Sequence, residues 1–243
     1  MRLSQIILLF CILAGIAVLC GLGFWQLNRL AWKEEMIARV ERGLSADPKS
    51  VFETEQDMKN GQDIEYRPTF AEGRFLNDKE QHFFATHKGL PGYFIYTPLE
   101  LADGRILFVN RGHVPMTLKP SNLRTDGQIE GQVRISGLAR SAPSEKPNSF
   151  VPNNDLTKNI YYWKSLPQMV GRSFDKMEIG VVRLFLDADA TPNRGGYPVG
   201  GVTLIQFPNN HLQYALTWFG LAGALLGVGG FFVYSRRNSS ARI

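Results

Sequence analysis

The side chains best suited to ligation or nucleophilic chemistry are four histidines and two cysteines. His211 has the most distinctive setting. It follows Pro208-Asn209-Asn210 and opens a run, Tyr214 to Tyr234, that contains no charged residue. Tyr214 and Trp218 follow it at i+3 and i+7, a spacing that puts all three on one face of a helix. An imidazole and aromatic rings at the mouth of an apolar helix serve either as interfacial anchors or as contacts for a ligand or cofactor at the membrane surface. Trp25, Arg29 and Trp32 lie at i, i+4 and i+7 on a second such helix and offer an aromatic wall and a cation.

The other candidates are poorer. His82 and His87 are five apart, so on a strand they point to opposite faces and cannot share a metal. His113 ends an expected strand beside Arg111 with no visible partner. Cys11 and Cys20 both fall in the first apolar run, about 13 Å apart by helix rise. The central region therefore has no thiol nucleophile, disulfide or thiolate metal site. No Gly-x-Ser-x-Gly elbow occurs. A face bearing Arg105, Arg111 and Arg134 would bind anions or simply be solvated. The net charge of +5 comes without a large basic cluster or nucleic-acid motif. That excludes nucleic acid as the natural partner and favours lipid headgroups.

Two apolar helices must position these residues. Ile6 to Leu27 and Tyr214 to Tyr234 each approach the roughly 20 residues that cross a bilayer. The first is read as an uncleaved span. A signal peptide has a shorter apolar region, and Cys20-Gly21-Leu22-Gly23 is a weak cleavage site. The absence of an Arg-rich presequence favours a bacterial chain or a mature form. The helix continues past the span through Asn28 to Val40, which holds no Gly or Pro. Ala17 and Gly21, Gly220 and Ala224, and Gly223 and Gly227 are small pairs at the spacing that lets helix backbones approach. Arg236, Arg237 and Arg242 follow the second span, whereas the nearest basic residue before it is Arg194. This asymmetry places the C-terminus in the cytoplasm. Arg29, Lys33, Arg39 and Arg42 argue the other way locally, but long hydrophilic segments cross regardless of charge.

The expected plan is a cytoplasmic residue 1–5 segment, spans at 6–27 and 214–234, an outer domain at 28–213, and a cytoplasmic tail at 235–243. Between the spans, Ser45 to Asp63 reads as irregular or partly helical. Alternating runs predict strands at Tyr66–Phe75, Glu80–Thr86, Tyr93–Leu101, Arg105–His113, Ile129–Ala139 and Gly180–Asp187. Ala102-Asp103-Gly104 and Leu76-Asn77-Asp78-Lys79 are turn signals. Short connections predict antiparallel pairing in a barrel or sandwich. Ser141 to Asn154 reads as loop and Leu156 to Asp175 as one or two short helices. The glycine-rich Thr191 to Gly201 lacks the Gly-Lys-Ser/Thr of a phosphate loop and reads as a tight turn packed on the domain or the bilayer. The fold class is α+β: two membrane helices flanking one mainly antiparallel β domain with short helices.

Particular stretches resemble the Surfeit locus protein 1 family of cytochrome c oxidase assembly factors. They are Gly23-Phe24-Trp25-Gln26-Leu27-Asn28-Arg29 with Lys33, Gly73-Arg74-Phe75, Val109-Asn110-Arg111-Gly112, Asn154-Asp155-Leu156 with Tyr162-Trp163, Gly195-Gly196-Tyr197-Pro198, and Asn210-His211-Leu212-Gln213-Tyr214-Ala215-Leu216-Thr217-Trp218-Phe219. They occur in the family's order through nearly the whole chain. His113 departs from the aromatic residue, usually Trp, expected after Arg-Gly.

The resemblance implies a bacterial-type, multi-pass protein of the cell inner membrane with its domain in the periplasm, and no enzyme activity. It implies chaperone-like help in maturing subunit I of a respiratory haem-copper oxidase, with the haem a synthesis machinery as a further partner. Haem a is the implied cofactor, held transiently. On that reading His211 is an axial ligand of the haem iron, Tyr214, Trp218 and Trp25 line the ring, and Arg29 pairs a propionate. The alternatives are a scaffold for subunit I that binds no haem, and a membrane-tethered outer-face hydrolase or anion sensor. The topology is tested with reporter fusions: a phosphatase joined near Pro120 is expected to be active and one joined after Ile243 silent. The reverse pattern contradicts the charge argument.

Overall fold

The computed structural model describes residues 3–174 and 180–240. The chain divides into two compact units, Met1–Arg39 with Gln206–Ile243, and Val40–Ile205.

The first unit is built from helix α1 (Leu3–Leu44) and helix α4 (His211–Ser240). Both are long and apolar enough to cross a membrane. Their most apolar windows are only 6% and 11% buried, with mean hydropathy 2.9 and 1.8. A core helix of a soluble protein would bury most of such a window, so these faces suit hydrocarbon as solvent. The two helices pack antiparallel: Ile12 meets Gly229, Gly15 meets Leu225, Gly23 meets Phe219 and Gln26 meets His211.

The covered positions repeat with spacings of four and three. On α1 they include Ile12, Ile16, Leu19, Gly23, Gln26, Leu30 and Lys33; on α4 they include His211, Ala215, Trp218, Ala222, Leu225 and Gly229, with Phe219 beside them. A 3.5-residue repeat is the signature of helices that supercoil around one another. The closest approach is at Gly23, where a Cβ would lie 2.6 Å from the Phe219 ring. The expected small-residue pairs are not the seam. Gly21, Gly220, Gly223 and Gly227 face open space, and Ala17 and Ala224 are exposed. Their spacing of four is correct for contact, but they lie off the stripe that the 3.5 repeat selects.

The second unit is an eight-stranded sheet. Its strands are β1 (Lys49–Ser50), β2 (Pro68–Phe75), β3 (Gln81–His87), β4 (Leu90–Leu101), β5 (Ile106–Pro115), β6 (Gln132–Ser141), β7 (Ile160–Tyr161) and β8 (Val181–Ala188). The order is β1-β2-β6-β8-β5-β4-β3-β7, and an extra β2–β4 pairing joins the ends of a five-strand segment. β2, β6, β8, β5 and β4 thus form a closed barrel. β4 makes this possible by its length: one end pairs with β3 and the other, Leu99–Leu101, with Gly73–Phe75 of β2.

Alternation sorts the side chains. Leu107 and Val109 of β5, Val182, Leu184 and Leu186 of β8, and Leu99 and Leu101 of β4 share the main core with Ala71, Phe75 and Ala139. Helix α2 (Val51–Lys59) adds Val51 and Met58 to this core. It begins with a capping box in which Ser50 and Glu53 satisfy each other's backbone N–H groups. The opposite face of β4, β5 and β8 presents Tyr96, Ile106, Phe108 and Phe185, and helix α3 (Leu166–Ser173) covers it with Met169, Leu166 and Val170. β5 is therefore buried on both sides along almost its whole length.

All six expected strands are present, and the domain is a barrel. Among these six the pairing differs in one respect: β8 runs antiparallel to β6 but parallel to β5; the two-residue β1 and β7 also pair parallel, with β2 and β3. The long insertion before β8 carries the chain across the outer face, so short-turn logic does not apply to β5 and β8. β6 starts at Gln132 rather than Ile129, because Thr125–Gly127 forms a 3-10 turn first. The expected helical stretch holds α3 and the short β7; its last residue, Asp175, lies outside the described residues. The glycine-rich connection packs on the domain, with Val199 bridging His113.

Barrel closure makes a specific demand at Gly73. A Cβ there would lie 2.3 Å from the Glu100 carbonyl oxygen. Gly73→Ala is expected to destabilise the domain by about 1–3 kcal/mol, the usual cost of overpacking. Gly171→Ala in α3, which meets open space, is expected to be neutral or stabilising by up to about 1 kcal/mol. Thermal unfolding of the full chain followed by near-UV circular dichroism compares the two.

Candidate cofactor-binding site

Between Ile12 and Leu30 of α1, the seam with α4 is apolar except where Gln26 meets His211. Gln26 is the one polar side chain in the run Ile6 to Leu27, and it is 8% exposed. Such an amide must find a partner inside the helix pair, since hydrocarbon offers none. Its Oε1 lies 2.7 Å from His211 Nδ1. A carbonyl oxygen only accepts, so Nδ1 carries the proton and donates. In the neutral ring this contact selects one tautomer, in which the lone pair is on Nε2.

The chain enters α4 through an Asx-type turn. The His211 backbone N–H points at Asn209 Oδ1 at 3.4 Å, and Tyr214 N–H donates to the Asn210 carbonyl at 3.2 Å. Trp218 sits two turns along, on the same covered stripe as His211, and its Nε1 is buried with no acceptor. Phe24 and Phe219 meet edge to face across the seam, 5.4 Å between centroids. Lys33 lies 5.2 Å over the Phe207 ring.

The expected site residues do not all converge. His211 and Trp218 share the covered stripe. Tyr214 does not: it is 54% exposed, because the seam takes Ala215, 1% exposed, one residue later. Trp25 is likewise 54% exposed, beside Gln26 but turned to the open side. Arg29 is exposed and stacks on Trp32, 4.4 Å from its centroid. Among the described residues no carboxylate lies within ion-pair distance of Arg29. Gln26 is the residue that sequence reasoning missed. Its signal was available as a lone amide within an apolar run.

The family model described as "SURF1 family" matches residues 13–223. The chain belongs to the SURF1 family. It is 34% identical over 249 residues to the SURF1-like protein of Monosiga brevicollis, covering 97% of this chain and 90% of that protein. It is 33% identical to Surfeit locus protein 1 of Homo sapiens and 32% identical to that of Rattus norvegicus, each match covering 84% of this chain and 70% or 68% of the relative.

The family-like stretches of the β domain are occupied with architecture. Gly73 admits the Glu100 carbonyl, and Gly112, at φ +119, admits that of Val199. Arg111 is 2% exposed and its guanidinium donates to the Gly127 carbonyl, Asn193 Oδ1 and Asn77 Oδ1. Burial pushes it down to about 10. Asn154 ties Trp163 and Gln168 to its own loop. Arg105 is held by Glu55 and Asp103, and Arg134 by Glu72. Arg105, Arg111 and Arg134 therefore do not form a free anion-binding face. His82 faces Glu80, which also holds Arg124. Among the described residues no three His, Cys, Asp or Glu side chains are placed to hold a metal. The helix pair is where a family-like stretch leaves chemistry unspent.

Nitrogen NMR of the full chain tests the tautomer. His211 is expected to show a protonated Nδ1 and an unprotonated Nε2. Gln26→Leu removes a hydrogen bond worth about 0.5–1.5 kcal/mol and is expected to give a tautomer mixture. A dominant Nε2–H form in the unaltered chain contradicts the assignment.

Proposed function

We propose that this chain is a membrane-anchored assembly factor for haem-copper cytochrome c oxidase, which binds haem a through His211 and assists its delivery to subunit I. The observation that carries the reading is the His211–Gln26 pair: an imidazole oriented through Nδ1 by a second residue, which leaves Nε2 as the nitrogen available for ligation in the helix seam. Ligating histidines commonly donate their other N–H to an oxygen in this way, which fixes the ring and raises its basicity.

The residues fit the group. His211 supplies nitrogen, the usual protein donor to haem iron. Trp218 holds a buried N–H with no acceptor, suited to an oxygen at the edge of a bound ring. Arg29 has no carboxylate partner among the described residues and suits a propionate. Tyr214 and Trp25 present aromatic surface on the open sides of their helices. Haem a supplies the redox iron that the oxidase requires. His211 would be the single protein donor to the iron, which suits transient holding and handing on.

In this reading the spans lie in the cell inner membrane, both termini are cytoplasmic and the barrel is periplasmic. Subunit I and the haem a synthesis machinery are the partners, and the chain catalyses no bond-forming step. A second reading, a scaffold for subunit I without haem, is favoured by the mostly uncovered apolar faces of α1 and α4, which could dock partner helices.

The experiment is co-expression with haem a synthesis and purification from membranes. The unaltered chain is expected to carry a Soret band. His211→Ala is expected to lower haem per chain about tenfold or more, equivalent to about 1.4 kcal/mol or more of binding, while still inserting in the membrane. An unchanged spectrum and stoichiometry contradicts haem handling at His211. Restoration of oxidase activity by His211→Ala in a deletion strain supports the scaffold.

A further inference from the structure

The β domain brings two imidazoles together. His113 of β5 pairs with Phe94 of β4, and His87 ends β3 opposite Leu90. Both histidines point to the face that carries Phe83 and Phe94, one strand apart on either side of β4. An ordinary residue between them would separate them. Gly92 stands there instead, and His113 Nε2 lies where its Cβ would be, 2.5 Å from that position. His113 thereby leans across β4, and its ring centroid comes within 5.5 Å of that of His87.

The His113 ring is engaged by the Leu90 backbone, but one of its nitrogens is unspent. His113 is 4% exposed, and its Nε2 is buried with no hydrogen-bond partner. An orphaned buried nitrogen of this kind calls for an explanation. The Phe94 edge closes one side of the His113 ring, 6.1 Å between centroids. His87 is half-buried at the hairpin end, beside the exposed Lys88-Gly89 turn, so rotation of its ring gives access from solvent.

We propose that His87 and His113 form a two-histidine site for a borderline first-row transition-metal ion of the Zn2+ or Cu2+ class, with water completing the shell. Imidazole nitrogen is the donor such ions favour. The spacing agrees with the chemistry. At a metal–nitrogen length of about 2.0–2.1 Å, two imidazoles on one tetrahedral ion have centroids about 5.2 Å apart, and on a linear one about 6.3 Å. The observed separation lies between these limits. Burial, chiefly, holds both imidazoles below the usual histidine range, with Lys88 adding to the effect at His87 and His87 at His113. The Lys88 charge moderates affinity, and no carboxylate within the pair draws the ion toward calcium-like oxygen chemistry.

The test uses the full chain in detergent, stripped with a chelator and titrated with Zn2+ calorimetrically at pH 7.5. The expected result is one Zn2+ per chain attributable to this pair, with a Kd of about 1–10 μM, or about −7 to −8 kcal/mol. His87→Ala and His113→Phe are each expected to weaken that binding about tenfold or more, about 1.4 kcal/mol, whereas His211→Ala leaves it intact. His113→Phe keeps an aromatic ring over Gly92, and His87→Ala alters a half-buried hairpin position, so one covers a folding failure of the other. Cu2+ added to the unaltered chain is expected to show hyperfine coupling to two imidazole nitrogens, lost in His87→Ala. Zn2+ binding that neither substitution changes, or no binding tighter than about 100 μM, overturns the site.

Discussion

An amide and an imidazole inside an apolar helix seam must satisfy one another, because neither lipid nor the neighbouring side chains can. That requirement, met by the 2.7 Å contact between Gln26 and His211, fixes much else in the helix pair. It sets which residues face each other where α4 begins. It agrees with the antiparallel contacts further along, through Gly23 and Phe219 to Ile12 and Gly229. Slipping either helix by one residue would leave the buried Gln26 amide unpaired, at about 1–3 kcal/mol, and release the half-buried His211. The polar pair thus acts as a register pin for an otherwise uniform apolar interface, much as a single buried polar residue does in a coiled coil.

The same pin determines the chemistry. With Nδ1–H engaged, the imidazole has one lone pair to offer, at Nε2, and its orientation is set by the seam rather than by a flexible loop. The β domain is built on different terms. Its closure depends on the backbone approach at Gly73, while Gly112 and the neutral acceptors around the buried Arg111 hold the connecting segments against it. Those features give the family-like stretches of this domain a structural task, closing the barrel and fixing its connections.

Much of the fold was legible because strands and spans advertise themselves locally. Alternation marked all six long strands, while β1 and β7, two residues each, are too short to carry a period. The β5–β8 parallel pair was hidden, since it depends on how a long insertion routes the chain. At the site, helix period correctly grouped His211 with Trp218 but also included Tyr214. An isolated helix at 3.6 residues per turn does not distinguish i+3 from i+4. Only the partner helix, through the 3.5-residue seam, chooses Ala215. Gln26 was visible as a lone amide, but its partner lies at the other end of the chain. The His87–His113 approach was illegible for a similar reason. It requires two strand registers and the missing side chain of Gly92.

If Gln26 orients His211 as an iron ligand, the hydrogen bond makes the imidazole a stronger donor and favours the ferric state. The most direct measurement is the midpoint potential of the haem-loaded full chain, compared between the unaltered protein and Gln26→Leu. The potential is expected to rise in the variant, with the haem still bound through His211. Identical potentials with full haem occupancy in both proteins would contradict a coupled Gln26–His211–iron unit.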